Sequence, residues 1–274
     1  MGALHWNALI LYGVVGAVGL TAASLPIDSY TPAFLVEAGT PARSVELQDA
    51  GIFRFHVDKN DCGERNGFND CDHDRERAEL TSLADKLPLN QQPSGGMRYK
   101  ARIYFPNTFE HPRGGMGVTV FQIKVPGSHP ALDLFLRDSG DLRVKMDHAY
   151  KLDRWDSKQS KSRQPVIIPA NRLKGRWHDI DITAYWADNK RGNVAISVNG
   201  KRVFSYKGAN AIGADAVYVK HGVYRWDVDK DPNRKGTEVL FRDVSVSPAS
   251  GSSSLRLTPG TKVALRTSQA YPVE

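Results

Sequence analysis

An all-β sandwich is the fold this sequence predicts, on three observations. Short stretches alternate apolar and polar residues with period two, the pattern of strands with two unlike faces. Clusters of Gly, Asn, Asp and Ser that favour turns separate these stretches. Beyond the N-terminal apolar run no long helical period is found. The 274 residues, 41% of them hydrophobic, suffice for one domain with a sizeable core.

Taken in order, residues Ala8 to Ala23 are almost wholly apolar. The run is short for a membrane span, which needs ~20 such residues. Small residues at its end suit signal-peptidase cleavage, so 1–24 reads as a secretory leader. The leader has His5 but no Lys or Arg ahead of the apolar run, which keeps an uncleaved anchor as the alternative. Residues 25–45 read as a loose lead-in, 46–249 as the folded domain and 250–274 as a peripheral tail. In Gly51 to Asp58, Phe53, Phe55 and Val57 oppose Arg54, His56 and Asp58. The polar loop from Asp58 to Asp74 carries Cys62 and Cys71, nine positions apart. Behind a leader the expected state is a disulfide. Two cysteines without suitably spaced histidines do not make a zinc pattern. Asp70-x-Asp72-x-Asp74 resembles the start of a calcium loop. Arg75 stands where an EF-hand needs Gly, however, and no Glu follows at the twelfth position. A solvated loop is the first reading, and a structural calcium ion stays open as the alternative.

Three later stretches share one construction. In Arg75 to Leu80, Arg75, Arg77 and Glu79 oppose Ala78 and Leu80. In Val118 to Val125, Gln122 and Lys124 oppose Thr119, Phe121, Ile123 and Val125. In Val217 to Arg225, Tyr218, Lys220, Gly222 and Tyr224 oppose Val217, Val219 and Val223. Gly within a strand often marks a close approach by a ligand or another backbone. Laid side by side, the three fronts would line one basic surface. Arg98 to Phe105 offers either a fourth cationic front or a solvent-facing outer strand. Leu132–Leu136 and Leu142–His148 read as a hairpin around Asp138-Ser139-Gly140-Asp141. Trp177–Tyr185 is a strand, Asn199-Gly200 a two-residue hairpin turn, and Glu238–Val246 the last strand.

Arg77-Ala78-Glu79-Leu80, Gln122-Ile123-Lys124 and Tyr218-x-Lys220-x-Gly222-x-Tyr224 together resemble the ordered motifs of jelly-roll polysaccharide lyases, the heparin lyase I and glucuronan lyase group above all. Alginate lyases share a similar trio. The resemblance covers about Phe53 to Val246. It implies a concanavalin-like β-jelly-roll of two antiparallel sheets with a concave groove, and β-elimination on a uronic-acid polymer. It also implies Tyr224, Gln122 and Arg77 as catalytic, with Lys220, Tyr218, Lys124, Arg75 and His56 on the substrate. Tyr224 is the expected proton-transfer group, its pKa lowered by neighbouring cations. Gln122-Ile123-Lys124 departs from the Gln-x-His of alginate lyases; His56, His73 and His148 are the histidines at hand.

The net charge of +7 suits a polyanionic partner. An acidic polysaccharide is expected, glucuronan first, cleaved outside the cell by a monomer that needs no cofactor. No nucleic-acid motif is present, and no membrane contact is expected once the leader is removed. A non-catalytic module for acidic glycans is the alternative. A retaining glycosidase requires two carboxylates about 5–5.5 Å apart, and the proposed front carries Glu79 alone.

Overall fold

Residues 34–39, 41–48, 51–65, 68–82, 86–147 and 164–249 are described by a computed structural model. The leader, the tail and His148 lie outside them. In chain order the strands are β1 (Leu35–Ala38), β2 (Val45–Gln48), β3 (Ile52–Val57), β4 (Glu64–Arg65), β5 (Phe68–Asn69), β6 (Arg75–Thr81), β7 (Leu87–Pro88) and β8 (Met97–Tyr104). There follow β9 (Gly117–Lys124), β10 (Pro130–Leu136), β11 (Leu142–Lys145), β12 (Val166–Ile168), β13 (Trp177–Tyr185), β14 (Asn193–Val198), β15 (Lys201–Lys207), β16 (Ala216–Trp226) and β17 (Thr237–Pro248). One sheet runs β1-β6-β16-β9-β10-β11-β12, with β7 on β16; the second runs β15-β14-β13-β8-β17-β3-β2.

Both sheets are antiparallel, and period two decides what lies between them. Phe55 and Val57 of β3, Tyr99, Ala101 and Ile103 of β8, and Val239 and Phe241 of β17 enter one core with Ala78, Leu80, Phe121, Ile123, Val219 and Val223 of the first sheet. Arg98 and Arg102 face outward on the second sheet and pair across to Asp181 and Asp179 of β13. The cationic face of β8 is therefore the solvent-facing one. The expected hairpins form. β10 pairs with β11, and Asn199 and Gly200 turn the chain between β14 and β15 with φ of 50° and 78°. That double positive φ fits Asn-Gly.

Two expectations are corrected. The lead-in is not wholly loose, because β1 pairs with β6 and sets Glu37 directly opposite Glu79. Nor does β9 keep one alternation throughout. Thr119 pairs with Tyr224 and Phe135, while Phe121 pairs with His221 and Leu134. A bulge at Val120 and Gly222–Val223 thus moves Thr119 onto the polar face and leaves Val118 and Val120 buried. Gly222 sits in this bulge at φ 136°, and a Cβ there would lie 2.3 Å from the Ala78 carbonyl oxygen and 2.7 Å from the Phe55 ring. Its missing side chain makes room for protein, not for ligand. Gly222→Ala is expected to lower unfolding free energy by at least ~2 kcal/mol in chemical denaturation.

Candidate active site

The central strand β16 lies between β6 and β9. The three stretches expected to run side by side do so. Register then fixes the neighbours on the face turned away from the core. Arg77, Tyr224 and Thr119 form one row across the sheet. Thr81, Lys220, Gln122, Asp133 and Lys145 form another. Tyr218 stands opposite Lys124, and Arg75 opposite Trp226.

A dense charge network ties these rows together. The Arg77 guanidinium lies over the Tyr224 ring, 4.6 Å from its centroid. Its Nε and Nη2 donate to the two oxygens of Asp70, at 2.5 and 2.6 Å. Its Nη1 donates to Glu37 at 3.0 Å and to Glu79 at 3.4 Å. Lys220 Nζ reaches Glu37 at 2.5 Å and Glu79 at 3.0 Å. Gln122 Nε2 donates to the other oxygen of Glu79 at 2.6 Å. Glu79 is fully buried, and Lys220 is only 4% exposed. Two like charges opposite one another across strands repel; here Arg77 and Lys220 bridge the Glu37–Glu79 pair.

Asp70 reaches Arg77 because its loop is pinned. Cys62 and Cys71 form the expected disulfide, with Cα atoms 5.3 Å apart. Asp70 N bonds to Gly63 O, Arg75 N to Asp70 O and Arg77 N to Asp61 O. The Asp70-x-Asp72-x-Asp74 spacing does not converge, since Asp70 turns to Arg77 and Asp74 accepts from the Asp229 amide. Among the described residues no group of three or more acidic, His or Cys side chains is placed to hold a metal ion.

These contacts set the protonation states. Burial opposes charge on Arg77, but Glu79, Asp70 and Glu37 outweigh it and hold the guanidinium protonated. Lys220 is likewise penalised by burial and kept charged by Glu79 and Glu37. Tyr224 departs from expectation. Burial pushes its phenol up to about 12, more than Arg77 and Arg75 pull it down. Lys124 goes the other way: burial, then repulsion from Lys220, lowers it to about 8. Its Nζ donates to the Ser128 carbonyl at 2.6 Å.

Other expected site residues are placed differently. His56 lies on the outer face of the second sheet, 3.0 Å from Asp58 and 3.7 Å from Glu238, so it does not join this face. The parity of β3 decides this, because Phe55 and Val57 take the core side. His73 stacks on Phe68, with centroids 4.2 Å apart, in the disulfide loop. His221 is buried in the core against Phe55 and Phe241, and burial lowers its pKa to about 3. Arg77 is more engaged than the pattern implied: four of its hydrogen bonds go to Asp70, Glu37 and Glu79, and its guanidinium lies over the Tyr224 ring. Residues the sequence reading did not assign also belong to this face. Asp133 is buried, with Oδ1 unpartnered among the described residues, and burial raises its pKa to about 7. Trp226 Nε1 donates to Thr119 Oγ1, and Arg137 lies over its ring at 4.2 Å. A carboxylate inside the apolar run Pro130–Leu136 was the available signal for Asp133.

A two-sheet antiparallel jelly roll with a tyrosine, an amide and buried charge pairs on one sheet defines the class. The polysaccharide lyase family model matches residues 39–245, and the chain belongs to that family. Among solved structures it is similar to alginate lyase A1-II′, a member of polysaccharide lyase family 7, at 14% identity and a TM-score of 0.53, covering 77% of this chain and 92% of that one. The alginate lyase from Klebsiella pneumoniae is 14% identical at a TM-score of 0.52, covering 76% and 85%. An endo-β-1,4-glucuronan lyase from the fungus Trichoderma reesei is 13% identical at 0.51, covering 83% and 92%. At such identities the likeness speaks for the fold. No curated protein matches the sequence.

Proposed function

We propose that this protein is a secreted lyase that cleaves a uronic-acid polysaccharide, glucuronan first, by β-elimination on the face centred on β16. The observation that carries this reading is the placement of Tyr224 over Arg77, with Gln122 and Lys220 tied to the same guanidinium through Glu79. The reaction removes the proton at C5 and expels the oxygen at C4. Charge accumulates on the adjacent sugar carboxylate, which therefore needs donors that are in place beforehand. Gln122 has a second amide N–H beyond the one given to Glu79. Lys124 offers an ammonium two residues further along β9. Tyr224 takes the C5 proton as phenolate and returns it to the leaving oxygen.

Stereochemistry accords with glucuronan, as it does with any uronate of the same C4 and C5 configuration. In a β-1,4-linked glucuronate the C5 hydrogen and the C4 oxygen lie on one face of the ring, so a single residue can serve both. A lysine where alginate lyases resemble Gln-x-His fits that economy. The disulfide accords with an oxidising compartment. Incubation with glucuronan, alginate, heparin and hyaluronan, following the ultraviolet absorbance of the unsaturated product, tests the proposal. Glucuronan is expected to give the fastest rise. Binding without a rise on any of the four would leave a glycan-binding module in place of a lyase.

A further inference from the structure

The family match begins at residue 39, yet a carboxylate ahead of it closes the charge network. β1 holds Glu37, 8% exposed, with one oxygen shared between Arg77 Nη1 at 3.0 Å and Lys220 Nζ at 2.5 Å. Glu79, its cross-strand partner, meets the same two cations through one oxygen and gives the other to Gln122. Glu37 thus shares both cations with Glu79, which leaves one oxygen of Glu79 to orient the amide. Without it, both cations would converge on Glu79 and compete with Gln122. The Arg77 guanidinium, stacked on Tyr224, would lose its shorter Nη1 contact.

We infer that Glu37 is a positioning residue for Tyr224 and Gln122, so that the N-terminal edge strand completes the site. The inference rests on the lyase reading above. The charged groups around the phenol are Arg77, Arg75 and Glu79 of β6 and Asp70 of the disulfide loop. Glu37 acts on it through Arg77, whose guanidinium it pairs with and which lies over the ring. Loss of Glu37 leaves more of that positive charge to favour the phenolate.

The test compares Glu37→Gln and Glu37→Asp with the wild type, and uses Glu46→Gln on β2 of the other sheet as an edge-strand control. Turnover on glucuronan is measured across pH, alongside thermal melting and side-chain hydrogen exchange of Lys220 and Arg77. For Glu37→Gln, kcat is expected to fall on the order of 10- to 100-fold, with KM changing less. The acid limb of the profile moves to lower pH, and exchange at both cations quickens. Glu37→Asp recovers part of the loss, and Glu46→Gln behaves as wild type. A folded Glu37→Gln with wild-type kcat, limb and exchange overturns the inference. If the wild type acts on none of the polymers, the lyase reading fails instead, and unchanged exchange in Glu37→Gln still overturns the clamp.

Discussion

Tyr224→Phe is expected to remove at least ~10²–10⁴-fold of the turnover on glucuronan, the usual contribution of one positioned proton-transfer group. The loss falls toward the upper end because the one phenol serves both C5 and the leaving oxygen. The ring remains for Arg77 to stack on, so folding and oligosaccharide affinity stay near wild type, measured by melting and calorimetry. The pH dependence has a definite sign. With the Tyr224 phenol at about 12 and the Lys124 ammonium at about 8, the active form needs the first deprotonated and the second charged. Below pH 8 the phenolate fraction grows with pH while Lys124 stays charged, so kcat/KM should rise about tenfold per pH unit. Above pH 8 the gain in phenolate is offset by loss of the ammonium, and the profile levels off. A profile that falls from pH 6 to pH 8 would contradict these assignments.

Arg77→Met is expected to be the most destabilising single change at this face. It takes the guanidinium from Asp70, Glu37 and Glu79, all three buried, while Lys220 stays with Glu37 and Glu79. Removing one member of a buried ion pair typically costs 3–5 kcal/mol, roughly, because the abandoned charge stays out of water. Denaturant unfolding of both proteins at neutral pH measures the difference; a variant as stable as the wild type would contradict it.

Much of this architecture was legible in the chain. Period two marked β6, β9 and β16 and gave the parity of Arg77, Gln122, Lys220 and Tyr224, because a strand with one face in a core must alternate. The hairpins at Asn199-Gly200 and around Asp138 to Asp141 followed from turn chemistry. What remained hidden depended on long-range register. Pattern alone could not say that Glu37 would lie opposite Glu79, or that Asp70 would turn inward. For the same reason the pattern does not show how fully the arginine is engaged by carboxylates. The direction of the Tyr224 shift is hidden because burial cannot be read from neighbouring charges. His56 alternates as well as any other residue, but parity does not reveal which sheet a strand joins. The break in β9 needed the Gly222 backbone, whose reach toward Ala78 and Phe55 is a tertiary fact.

Asp70 is the residue immediately before Cys71, and its grip on Arg77 depends on how the Cys62–Cys71 loop is tied. The chemistry of the face is thereby coupled to oxidative maturation. With the bond reduced, the same sheets would leave one of the arginine's carboxylate partners on an untethered segment. Closing that loop does more than toughen the molecule: it fixes the guanidinium that lies over Tyr224.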